Sequence, residues 1–254
     1  MSETWWMTHR RLKALASQPA YLVITLVQPV IWLFLFGNLF RRIVELPGFG
    51  APSYLDYLVP GVVVMNALAS NMWAGMGALE EIERGTLNRF LVSPISRGAI
   101  MHASVVEQAV STAVQSVIIV LLGWAAGAHY PGGVAGVAVL VGASVVLGTV
   151  FGALSNAIGM LVRQRETIIG LNIFLLLPLT FLSSVFMADG LMPHWMRTLS
   201  AFNPLNWAVQ AARAALTAAP DWGLVASRGA WLVALAVVAV WLSTRSFRAY
   251  QSSV

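Results

Sequence analysis

Long uncharged runs alternate with short polar ones along this chain, and their spacing predicts a polytopic all-α membrane protein. Residues 14–40 carry no acidic or basic side chain, a run longer than the ~20 residues that a helix needs to cross the hydrocarbon. The first span is expected at Tyr21–Phe40, with Pro29 inside it, where neighbouring helices can satisfy the carbonyl it frees. A second uncharged window runs over Tyr57–Leu79. The run from Gln108 to Val162 is long enough for two crossings and is broken into a hairpin at His129-Tyr130-Pro131-Gly132-Gly133. Thr167–Ala188 supplies a fifth span, and Gly229–Thr244 a sixth that is slightly short unless Arg228 snorkels from its outer turn.

Three segments do not span. Within residues 1–20, Thr4–Ser17 places Trp5, Leu12, Leu15 and Ala16 on one helical face and Arg10, Lys13 and Ser17 on the other, the pattern of a helix lying in the membrane interface. Residues 80–102 begin with the most polar run of the chain, Glu80 to Arg97, which predicts a short helix with breaks at Gly85-Thr86 and Ser93-Pro94. Residues 189–228 are too apolar for a loop, with Met192, Trp195, Phe202 and Trp207 among them. Asn203-Pro204 interrupts the stretch, so two short re-entrant helices are expected before the last span. The whole of 1–254 reads as one transmembrane domain.

Composition sharpens this picture. Of 254 residues, 58% are hydrophobic and 10% charged, and the mean hydropathy is +0.77; an ordinary soluble domain has about 45–50% apolar and about 25% charged residues. A soluble globular protein is excluded. The basic residues are unevenly placed: Arg10, Arg11, Lys13, Arg84, Arg89, Arg97, Arg163, Arg165, Arg245 and Arg248 flank one side of the predicted spans, and Arg41, Arg42, Arg197, Arg213 and Arg228 the other. Basic loops stay inside, so both termini are expected in the cytoplasm, with the chain in the inner or plasma membrane. The net charge of +5 then reads as anchoring to the inner lipid surface, and nucleic-acid binding gains no separate support. The first apolar stretch has no small-residue cleavage site after it and is expected to stay attached.

The chemistry the chain could carry is narrow. It contains no cysteine, which removes disulfides and thiolate metal sites. Its only lysine, Lys13, follows Leu12 rather than glycine, so a Walker-type phosphate loop is missing and no cofactor is expected on this chain. The nearest approach to a serine elbow, Gly142-Ala143-Ser144, is followed by Val145, and His9, His102, His129 and His194 all fall at span ends. The acidic residues are too scattered for a paired-carboxylate or metal site. Catalytic residues are therefore not expected. Glu107 lies about a turn inside the third span. It is either a proton-coupling acid or the local partner of Arg97 or Arg163, and its shallow depth favours the second. Asn66, Asn71, Gln108, Gln115, Asn156 and Asn172 are uncharged polar residues at span depth, suited to hydrogen bonds between helices; Asn66, Asn71, Gln115, Asn156 and Asn172 are also candidates for lining a translocation path.

The run Glu83-Arg84-Gly85-Thr86-Leu87, followed by Ser93-Pro94 and Arg97, resembles the cytoplasmic signature of type-2 ABC export permeases, in particular the branch related to daunorubicin-resistance permeases. Met192-Pro193-His194-Trp195-Met196, then Asn203-Pro204 and Arg213, resembles that family's outer segment before the last span. The resemblance implies that Glu83, Arg84, Gly85, Thr86, Leu87, Arg89, Ser93, Pro94 and Arg97 form a coupling helix on a separate ATP-binding subunit. Asn88 stands where relatives often have an acid, and Gly98–Ala103 lacks the Gly-Lys that commonly follows. It further implies two ATPase subunits holding ATP and magnesium, a second permease subunit, identical or homologous, and surrounding lipid. The implied activity is outward transport of a hydrophobic or amphipathic substrate, drug-like or lipid. Export of a glycolipid or polysaccharide by a member of the same family, and a proton-driven multidrug carrier, are the alternatives.

Overall fold

The computed structural model describes residues 19–45, 49, 51–83 and 97–251; among them the regular structure is helical and no strand forms. The expected interfacial helix at Thr4–Ser17 and the centre of the polar loop, residues 84–96, lie outside the described residues. Helix α1 runs over Pro19–Ile31, passes through a π-helical turn at Trp32–Phe36 and ends with Gly37–Leu39. The π turn follows closely on Pro29, whose missing N–H already interrupts the ladder. Ser53 then caps α2 (Tyr54–Met72), its Oγ accepting from the Leu55 N–H at 3.2 Å. Beyond a one-residue break at Trp73, α3 (Ala74–Glu83) continues the same crossing. The remaining helices are α4 (Arg97–Ala125), α5 (Gly133–Val162), α6 (Arg165–Phe181), α7 (His194–Ser200), α8 (Pro204–Leu216) and α9 (Trp222–Gln251).

Among the described residues, four stretches are long and apolar enough to cross a membrane: Tyr54–Glu80, Ser104–Ala125, Gly133–Val162 and Trp222–Ser246. The other two expected spans are shorter. The apolar part of α1 covers Ile24–Leu39, and α6 has 17 residues. Two boundaries are corrected. The fifth span does not continue to Ala188, because α6 stops at Phe181 and residues 182–188 form an irregular turn whose polar groups are bound by side chains from α8 and the residue before it. The sixth needs no snorkelling to reach full length, since α9 starts seven residues earlier than Gly229, at Trp222, and Arg228 lies within it.

Helix α5 is the hub, packed against α2, α3, α4, α8 and α9. It can touch so many neighbours because small residues let backbones approach closely. A Cβ on Gly159 would lie 2.5 Å from the Gly75 carbonyl oxygen, and one on Gly136 would lie 2.5 Å from the Ala215 carbonyl oxygen. Between them the Gly75 N–H donates to Ser155 Oγ at 2.9 Å, and that hydroxyl in turn donates to the Met72 carbonyl, bracing the α2–α3 break. G159V is accordingly expected to force α3 and α5 apart at a cost of about 1–3 kcal/mol. Thermal unfolding in detergent would show the loss. G170A, where nothing lies within 4 Å of the added carbon, is the control and is expected to unfold no earlier than the unsubstituted chain.

Candidate functional site

One end of the bundle gathers the start of α2, the turn between α4 and α5, the residues after α6, and helix α8. The Asp56 carboxylate accepts the His129 N–H at 2.7 Å, and the Gly132 N–H donates to the Leu216 carbonyl at 2.9 Å. Arg213, on α8, is the centre of this end. Its Nε and Nη2 both donate to the Tyr57 carbonyl, at 3.2 and 3.0 Å, Nη1 donates to the Ser184 carbonyl at 2.7 Å, and Nη2 also reaches the Val185 carbonyl at 3.0 Å. The guanidinium carbon sits 3.4 Å from the centroid of the Tyr57 ring, a cation–π contact. The Tyr57 hydroxyl donates to the same Ser184 carbonyl at 2.7 Å.

The family-like motif residues around Arg213 do structural work here. Asn203 caps α8 through the Leu205 N–H, while its amide donates to the Leu179 and Leu182 carbonyls at 2.7 and 2.9 Å, satisfying groups left over where α6 ends. Pro204 occupies the first helical turn, where a missing N–H costs nothing. Asn206 accepts from the Ser184 N–H and hydroxyl, at 2.9 and 2.6 Å, and donates to the Ser200 carbonyl at 3.0 Å. Pro193 precedes α7 as its N-cap residue. Helix α8 is buried along Leu205, Ala208, Val209, Ala212 and Ala215 against α5, α9 and α2, and Met192 is buried as well, whereas Trp195 and Phe202, which also marked this segment as apolar in the sequence, are exposed.

The candidate path residues lie on α2, α4, α5 and α6. Asn66 donates to Gln115 at 2.9 Å and Asn71 to Thr112 at 2.8 Å, two bonds that join α2 to α4. Thr112 continues the seam to the Gln108 carbonyl, and Gln115 donates to Ser111 at 3.1 Å. All of Asn66, Asn71, Gln115, Asn156 and Asn172 are buried. Asn66, Asn71 and Gln115 hold helices of this one chain together, each bond contributing about 0.6 kcal/mol in lipid. Asn156 and Asn172 are on α5 and α6, and Asn172 Nδ2 has no hydrogen-bond partner among the described residues. Glu107 is half-buried on α4, one turn past the point where the apolar span begins at Ser104.

At the opposite end, Glu83 closes α3 and Arg165 opens α6. Arg165 grips the Glu83 carboxylate with both arms, Nε to Oε1 at 3.2 Å and Nη2 to Oε2. The coupling motif is thus seen only at its edges. Glu83 is tied inside the chain and Arg97 starts α4, while Arg84, Gly85, Thr86, Leu87, Arg89, Ser93 and Pro94 lie outside the described residues. The partners that sequence reasoning missed are Arg165, Tyr57, Ser184 and Thr112. Only the arginine carried a signal, as a charge set beside the chain's acidic run once the helices are folded together.

This architecture, apolar crossing helices with polar groups gathered at two ends, is that of a polytopic membrane protein. Residues 2–217 match the family described as ABC-2 type transporter. The daunorubicin resistance ABC transporter permease protein DrrB1 of Streptomyces coeruleorubidus is 30% identical over 242 residues, covering 90% of this chain and 82% of that protein. The inner membrane transport permease YadH of Escherichia coli K12 is 27% identical over 218 residues, covering 82% of each. The chain belongs to the ABC-2 type transporter family, whose members are the membrane subunits of ABC transporters and work with an ATP-binding subunit.

Proposed function

We propose that this chain is the membrane half of an ATP-driven exporter, working as a dimer of permease subunits with two ATPase subunits at the end marked by Glu83 and Arg165. ATP-driven closure of the ATPases moves the segment from Arg84 to Arg97. That motion rocks the permease subunits against each other and opens a path outward, a rigid-body transition between packed states. The substrate is hydrophobic or amphipathic, a drug-like compound or a lipid. The observation that carries this reading is the similarity to a daunorubicin resistance permease over 90% of the chain. It is supported by the shortage of charge at span depth, which suits a substrate that partitions into lipid.

The rival energy source is a proton gradient, and Glu107 separates the two. A proton-driven carrier that uses Glu107 must protonate and release it in every cycle, so E107Q abolishes such a carrier. In the ATP-driven reading Glu107 acts locally, and glutamine keeps its shape and part of its hydrogen bonding. E107Q is therefore expected to retain appreciable export in cells whose proton gradient is collapsed while ATP is maintained. Complete loss of unsubstituted export on collapse of the gradient alone would overturn the mechanism.

A further inference from the structure

The bidentate contact between Glu83 and Arg165 joins two places that the sequence keeps 82 residues apart. Glu83 is the last helical residue of α3, and the next residue, Arg84, begins the segment proposed to meet the ATPase. Arg165 is the first residue of α6. It follows α5 after only Arg163 and Gln164, with Arg163 held in the left-handed region at φ 54°. So short a turn leaves α6 little freedom at its start. On the other side, α3 is pressed onto α5 at Gly75 and Gly159. The ends of α3, α5 and α6 consequently meet at one point, and the ion pair closes the triangle.

Both side chains are about half exposed, 45% and 46%, and an ion pair this wet adds little to overall stability. Its planar two-point geometry instead fixes direction. Helix α6 makes direction matter. Ile173, Phe174, Leu177 and Phe181 leave one face of it exposed, and at its far end Asn203 holds its last carbonyls. It is a rod about 25 Å long, fastened at one end to the root of the ATPase-facing segment and at the other to the Arg213 cluster.

We propose that Arg165 is a positioning residue for transport: by holding Glu83 it makes α6 move with the ATPase-facing segment and so carries that motion to the Arg213 end. This rests on the exporter reading above. It also gives Glu83 a role within the chain in place of a direct contact with the ATPase.

Charge exchange tests it. E83R, R165E, the double variant E83R/R165E and R165Q are each purified with the ATPase subunits in nanodiscs, and ATP hydrolysis is measured with the ATPase retained per permease. Each single variant is expected to retain the ATPase and its KM for ATP while kcat falls about fivefold, equivalent to a coupling of about 1 kcal/mol. The double variant, with the pair rebuilt in reverse, is expected within about twofold of the unsubstituted complex. Unchanged kcat in R165E and R165Q overturns the proposal. So does a double variant no better than E83R, which means that Glu83 meets the ATPase itself. If the unsubstituted chain retains no ATPase, the exporter reading falls and this inference with it, an outcome distinct from a complex that assembles and ignores the pair.

Discussion

Replacing Arg213 by methionine is expected to destabilise the protein by about 3 kcal/mol or more, because the carbonyls of Tyr57, Ser184 and Val185 all lose a charged donor at once. Methionine keeps an unbranched apolar side chain in place of the arginine stem, so the loss reports mainly the guanidinium rather than the packing. Lysine is not expected to rescue it. An ammonium cannot lie flat on the Tyr57 ring, 3.4 Å from its centroid, and simultaneously reach three carbonyls that lie on two different segments. R213M and R213K should both unfold well below the unsubstituted chain in detergent, with R213K the milder. A lysine variant of full stability would show that any cation suffices and that the fork geometry has no role.

Gly85→Pro is expected to have the largest effect on coupling. The proposed helix of the ATPase-facing segment loses about 2 kcal/mol of local propensity when proline replaces Gly85, the difference between about 3 for proline and about 1 for glycine. Were only about half of that felt at the interface, ATPase affinity would fall roughly fivefold. The spans do not include this position, so expression and insertion persist. The measurement is the amount of ATPase retained on purification beside ATP-dependent export. Normal retention and normal export by the variant would remove the segment from the mechanism.

The helical class and the hairpin at residues 129–133 were legible because a bilayer imposes one strong rule: a run of about 20 uncharged residues spans. That rule failed where side chains cap backbone groups. It carried the fifth span to Ala188, since Leu182 and Val185 to Met187 are apolar, but Asn203, Asn206 and Arg213 bind the Leu182–Val185 backbone and make an irregular turn stable. Hydropathy cannot register such partners. Arg213 was legible only as one of the outer basic residues and as part of the family-like motif that includes Asn203-Pro204. Its partners were not, because two backbone carbonyl segments and the face of a tyrosine leave no mark in composition. Asn66, Asn71 and Gln115 lie within two of the candidate membrane-crossing helices, yet their pairing across α2 and α4 depends on helix rotation, which an almost uniformly apolar α2 does not specify. Arg165 was counted for orientation only, since its partner lies 82 positions away.

The central claim is that this chain converts ATP hydrolysis on another subunit into transport. It is tested most directly by purifying the tagged chain from its native membranes in mild detergent and identifying what is retained. The account predicts a Walker-motif ATPase in equal amount to the permease, whose hydrolysis of ATP is lost when Gly85→Pro is purified in the same way. A chain that emerges free of any ATPase, and still transports in vesicles without ATP, would contradict it.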